Sequence, residues 1–386
     1  MIEKQRLDGN INGVSMNRNG PTFTHVMYAD NIMLFAKANC REVTTLDQCL
    51  ECYCQWSGQL VNQDKSGLIF SKQVLCDRKR AIKHSLLMKL VPQNAIYLGA
   101  PLFTSRNRSK DFQFLQNRME SKLKGWRCKT LSWAGRNTLI KSVAQTLPYY
   151  TFSSFDVPSK VCDKLDATTR RFWWNPKKVL GNYLAWKAWE HLCLPKAWGG
   201  LGFRKAQKST EAFLTKLTWM VISNRKSLCM DALRSKYKVR SDWLESDPVK
   251  FASQTWKAIE RLKSLVASGA CFLVGDGATI DIWKDPWVPW LPCFLPKPRI
   301  ESDKESLVVA CLINQTSRSW NLPKLMELFY DDSIEAIKKI RIPVIPHPDK
   351  LVWIPDPKGN FSVHSVYKVH TSAQSSTNQE IQWNKV

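Results

Sequence analysis

The tetrapeptide Tyr28-Ala29-Asp30-Asn31 is the part of this chain best suited to chemistry. It lies between two short apolar runs in Thr22 to Ala36, and an Asp-Asn pair makes a tight turn, so the pattern predicts a β-hairpin with the Asp30 carboxylate at its tip. Strands hold a side chain in place better than a free loop does. Hard Mg²⁺ asks for carboxylate oxygens. Two such ions side by side activate a hydroxyl and neutralise the phosphates in transfer. Asp30 is therefore the candidate metal ligand. Asn31 beside it offers only a neutral amide oxygen.

The elements that must position this tip follow in order. Val43, Leu46, Leu50, Tyr53 and Trp56 recur at helical spacing, with Gly58 as a stop. Residues 67–71 read as a strand, 78–90 as a basic helix, and 97–102 as a strand ending in a turn. From about 111 to 225 the pattern is helical. Phe112, Leu115, Met119 and Leu123 form an apolar stripe, and Leu139, Ile140, Val143 and Leu147 form another that stops at Pro148. At the outer positions crowd Arg118, Lys122, Lys124, Arg127, Lys129, Arg136 and Lys141. Such a basic bundle can cradle a nucleic-acid backbone. Residues 272–283 read as a hairpin around Gly275-Asp276-Gly277, with Trp283 and Trp287 expected in a core. Residues 371–381 are polar and read as a linker.

The chain has 386 residues, and its 57 Lys and Arg outnumber 33 Asp and Glu, giving a net charge of +24. A field of that sign favours an anionic partner, nucleic acid above all. The N-terminus has no apolar signal core, and no run is long and apolar enough to span a bilayer. An intracellular chain, nuclear or cytoplasmic and neither secreted nor membrane-bound, is expected. Its 12 cysteines then read as thiols. Cys49, Cys52 and Cys54 lack the second close-spaced pair that a zinc site needs.

His25 to Ala36 resembles the metal-binding hairpin, motif C, of plant non-LTR (LINE-type) retrotransposon reverse transcriptases. Other blocks resemble the same family, in its order. Gly58 to Ser66 is similar to the next block, Tyr97 to Leu102 to the primer grip, and 131–143 and 193–203 to the thumb. Residues 272–288 match the post-thumb segment, and 359–367 match the lead-in to the family's zinc-binding domain. The resemblance implies an RNA-directed DNA polymerase that uses Mg²⁺ and holds RNA or an RNA–DNA hybrid. It implies Asp30 as metal ligand, Asn31 in the place of a second aspartate, and Lys65 as proton donor to departing pyrophosphate. Tyr97, Gly99, Lys122, Lys124, Arg127, Arg136 and Lys141 would then meet nucleic acid. Asn62 and Tyr97 could equally order the palm.

The implied fold is α+β and mainly helical. Residues 1–105 would form a partial palm, 106–225 a helical thumb, 226–370 a mixed region, and 371–386 a linker with the start of a truncated zinc-binding domain. Three departures from the family matter. Only Glu3 and Asp8 are acidic upstream of Asp30, so the motif A carboxylate and the fingers are expected to be missing. Asn31 leaves metal charge uncompensated. No Cys/His zinc ligands follow. A reverse-transcriptase fragment without polymerase activity is expected. A basic module that holds duplex without chemistry is the alternative, and a polymerase completed in trans by another chain is a third reading. A sheet lacking a strand beside the hairpin would leave the palm remnant weakly held.

Overall fold

The computed structural model describes residues 1–18, 20–127, 130–177, 181–240, 243–244, 246–299, 307–314 and 316–372. Of the linker expected from 371, residues 371 and 372 instead end the helix Val363–Ser372, and its remainder, Lys129 and the expected start of a zinc-binding domain lie outside the described residues. The fold is α+β and mainly helical. Two compact units form. One comprises residues 1–107 and 226–239, and the other 108–225 and 240 onward. The segments read as thumb and as mixed region thus pack into one body, apart from 226–239.

In the first unit every sheet has two strands. His25–Tyr28 pairs antiparallel with Asn31–Leu34, and the Phe35 N–H donates to the Thr24 carbonyl at 2.8 Å to close the base of this hairpin. The helix Cys40–Ser57 follows. Asn39 caps it by accepting from the Glu42 N–H at 2.8 Å, and Gly58 ends it in the left-handed conformation, φ 68°. Glu42 is almost wholly buried and anchors the hairpin to this helix. Its carboxylate accepts the N–H of Lys37 at 3.0 Å, just past the hairpin, and both the N–H and the side-chain amide of Asn12 at 3.2 and 2.8 Å. Val43, Leu46 and Cys49 are buried along the helix, but its far end carries Tyr53 and Trp56 into solvent. The expected strand at 67–71 is only Gly67–Leu68, paired in parallel with Lys89–Leu90, and the expected basic helix spans Cys76–Leu86. Ile96–Tyr97 and Ala100–Pro101 form a small hairpin through Leu98 and Gly99, both at positive φ (50° and 78°). A two-residue loop with that twist favours glycine at its second position.

In the second unit the stripe Phe112, Leu115, Met119 and Leu123 is buried against Ile140, Phe152, Leu165, Phe172 and Phe203. The apolar run from Leu139 proceeds through a π-helical turn, Ile140–Ala144. The helix Ala206–Ile222 is the hub. It packs on Tyr149–Phe152, Ser159–Trp174, Gln254–Arg261, Lys263–Ala267 and Val363–Ser372. Small buried residues, Ser209, Thr210, Ala212, Thr215 and Thr218, let neighbours approach it on several sides. The hydroxyls of Thr210, Thr215 and Thr218 bond back into the helix, Thr210 to the Ala206 carbonyl at 3.0 Å.

The Phe272–Trp283 hairpin is not formed. Ala270–Leu273 pairs instead with Lys350–Trp353, antiparallel. Gly275 to Thr279 is a loop wrapped on Asp349, whose carboxylate accepts the N–H groups of Gly275, Gly277 and Thr279 at 2.8, 2.9 and 3.0 Å and the Thr279 hydroxyl at 2.9 Å. Gly277 has φ 72°, and a Cβ there would meet the Ala310 backbone at 2.6 Å. Trp287 is fully buried, with its indole N–H donated to the Ile282 carbonyl at 3.0 Å, while Trp283 packs half-buried on the same core.

Candidate nucleic-acid interface

The hairpin tip is shifted by one residue from the expected turn. Tyr28 pairs with Asn31, so Ala29 and Asp30 form the two-residue loop and Asn31 opens the return strand. Ala29 takes the positive φ, 51°, that such a loop needs. Asp30 and Asn31 both face solvent. The Asn31 side-chain amide donates to Asp30 Oδ1 at 3.1 Å. Among the described residues no group of three His, Cys, Asp or Glu side chains could share a metal, Cys49, Cys52 and Cys54 included. The donors at this tip therefore do not fit a two-metal centre. One carboxylate, with a neutral amide bonded to it, does not supply the negative charge that two adjacent metal ions need.

Lys65 is exposed, and its N–H donates to Asn62 Oδ1 at 3.1 Å. Asn62 thus shapes the turn that carries Lys65. Neither Asp30 nor Lys65 forms an ion pair among the described residues. Tyr97 is half-buried on its short strand, its hydroxyl enclosed without a hydrogen-bond partner, and Gly99 is exposed in the adjoining loop. His25 accepts or donates at Nδ1 with the Thr24 hydroxyl, 3.0 Å away.

The basic candidates of the second unit divide into two kinds. Arg118, Lys122 and Lys124 are exposed on the helix Gln113–Arg127, whose last residue is Arg127. Arg136 is turned inward. Its guanidinium donates to the Trp173 carbonyl at 3.0 Å and sits 4.5 Å over the Trp133 ring. Lys141 is half-buried, with Nζ 5.9 Å from the centre of the Phe203 ring.

Lys141 belongs to a cluster that sequence reasoning only partly found. Burial, then Lys196 and Arg204 close by, hold its pKa below the usual lysine value. The segment between those two residues is folded back tightly. Leu201 and Gly202 donate to the carbonyls of Leu192 and Leu194 at 3.0 and 2.9 Å, and Gly199 turns the chain at φ 77°. Gly200 has no room for a side chain, because its Cβ would overlap the Leu194 carbonyl. This turn exposes Lys196 and Trp198. Arg204 stands between two tyrosines, donating to the Tyr149 hydroxyl at 2.9 Å and lying 5.8 Å from the Tyr367 ring centre. No carboxylate pairs with Lys141, Lys196 or Arg204 among the described residues. Lys196, Trp198 and Arg204 were missed because each is ordinary in isolation. The signal was the two glycines and the indole set among cations. Beside the cluster, Asp166 accepts the Ala206 N–H at 3.1 Å at the start of the hub helix, and burial raises its pKa to about 7. Glu211 of the hub helix meets His370 of the helix Val363–Ser372 at 2.6 Å.

No helix among the described residues is long and apolar enough to cross a membrane. No protein-family profile matches the chain. Two proteins of Arabidopsis thaliana resemble it. One, named "Putative ribonuclease H protein", is 31% identical over 278 residues, which cover 70% of this chain and 44% of that protein. The chain thus spans under half the length of that relative. The other, named "Uncharacterized mitochondrial protein", is 32% identical over 147 residues, covering 37% of this chain and 92% of that protein. Nearly all of the shorter relative is therefore contained in the present sequence, and the chain belongs to the same family as this Arabidopsis mitochondrial protein.

Proposed function

We propose that the chain is a retroelement-derived reverse-transcriptase fragment that holds nucleic acid through its basic helical unit and does not polymerise DNA by itself. The observation that carries the reading is the Asp30–Asn31 pair. A polymerase hairpin must offer carboxylates to two metal ions. Here the second position is an amide that already donates to Asp30. The ordered blocks from Gly58 to Tyr367 support descent from such an enzyme, and a relative named for ribonuclease H fits a nucleic-acid setting.

The net charge of +24 supports the binding half of the proposal. So do the exposed Arg118, Lys122 and Lys124 on one helix, and Lys141, Lys196 and Arg204, which form no ion pair among the described residues. RNA and RNA–DNA hybrids are the partners this reading names. Mg²⁺ would bind productively only with carboxylates in addition to that of Asp30.

Primer extension on an RNA template, with Mg²⁺ or Mn²⁺, tests the catalytic half. No incorporation is expected from the chain alone. Incorporation that disappears in Asp30→Ala would overturn the reading and favour a complete active site.

A further inference from the structure

We propose that Lys141, Lys196 and Arg204 bind a backbone phosphodiester of single-stranded nucleic acid, and that Trp198 on the same turn stacks on an adjoining base. This deepens the nucleic-acid reading above and rests on it.

Lys141, Lys196 and Arg204 repel one another, with no ion-paired carboxylate among the described residues. Arg204 is held in place by its bond to the Tyr149 hydroxyl at 2.9 Å. Lys141 Nζ is held against the Phe203 ring, and it stands 3.7 Å from where a Gly202 side chain would begin. The positive field extends along Val363–Ser372. There burial, then Lys368 and Arg204, keep the His364 pKa below its ordinary value. An anion seated among these groups would relieve the repulsion. A phosphodiester carries one negative charge and several acceptor oxygens, and Arg and Lys both donate to it.

The aromatic residue makes the ligand a single strand. Trp198 is 56% exposed although tryptophan is among the largest apolar side chains, and it lies two residues from Lys196 on a short 3₁₀ turn. The tight packing around Gly200 fixes that turn, so the indole is presented on a firm support. Within a duplex the bases are stacked on each other and give an indole no face. Unpaired bases do, and a cationic groove with an aromatic platform is how sequence-tolerant single-strand binding is built.

Fluorescence anisotropy with the full chain and a labelled oligonucleotide of about 12 nucleotides, as RNA and as DNA, tests the proposal. Trp198→Ala should weaken binding about ten-fold. Lys196→Gln should lower the slope of log affinity against log salt by about 0.7, the value for one phosphate of a single strand. Both residues are exposed, so thermal melting should be unchanged. Photo-crosslinking of a bromouridine oligonucleotide should label the peptide that contains Trp198. Parental affinity and slope in both variants, with crosslinks elsewhere, would overturn this site while leaving the nucleic-acid reading in place. An unmutated chain that binds neither oligonucleotide nor duplex would remove both.

Discussion

Asn31 donates its side-chain amide to Asp30 Oδ1 at 3.1 Å, across the junction between the hairpin loop and its return strand. The contact is solvent-exposed and joins two exposed side chains. Asp30→Ala should therefore shift stability by no more than about 0.5 kcal/mol, the range for exposed sites. It should leave nucleic-acid affinity unchanged. Thermal melting and a binding titration check both. A large loss of stability would mean that the tip is packed.

Arg136 and Lys122 look alike as sequence but are placed differently. Arg136 bonds the Trp173 carbonyl and covers Trp133, so Arg136→Ala should cost about 1–3 kcal/mol of stability. Lys122 is exposed on its helix. Lys122→Ala should leave melting alone and weaken duplex binding, lowering the salt slope by about 0.9. Chemical denaturation and salt titration of the two variants separate the roles. An exchange of these effects would contradict the assignment.

Asp166 supplies a pH dependence. Burial raises its pKa from 3.8 to about 7, even though the Ala206 N–H favours its charged form. The folded state then keeps a proton that the unfolded state releases. This contribution to stability is full below pH 3.8, declines as pH rises towards 7, and is flat above. Asp166→Asn keeps an acceptor for the helix start without the buried charge. It should flatten the stability profile between those pH values, as read by denaturant midpoints. A profile as steep as the parent's would place the titrating group elsewhere.

Much of this architecture was legible from spacing. Gly58 ends its helix, and Phe112, Leu115, Met119 and Leu123 are buried as their stripe implied. These are local patterns, each set within a few turns of chain. The partner of Ala270–Leu273 was not legible, because it lies at Lys350–Trp353 and strand pairing over that separation leaves no local mark. Gly275 and Gly277 looked like hairpin glycines, yet their N–H groups serve Asp349. The hairpin register slipped by one residue because Ala29, not a glycine, takes the positive φ. Charge alone could not tell Arg136, turned inward, from Lys122, turned outward. The cluster at Lys196 and Arg204 exists only once the glycine turn brings them to Lys141.

The two units should open unequally. The first buries few large side chains, chiefly Ile11, Phe23, Leu46, Ile82 and Met230, and its strands pair only in twos. The second holds two extended cores. Isolated two-stranded sheets are marginal in water. Limited proteolysis followed by mass mapping should cut within residues 1–107 first. Equal resistance of both units would show that the first is more stable than its packing suggests.

The central claim is that this chain grips a nucleic-acid backbone without reading sequence. The most direct test measures its affinity for an RNA–DNA hybrid of scrambled sequence over a series of salt concentrations. The account predicts a log–log slope of about −3 or steeper, nearly the same for unrelated sequences. Affinity that does not change with salt would contradict it.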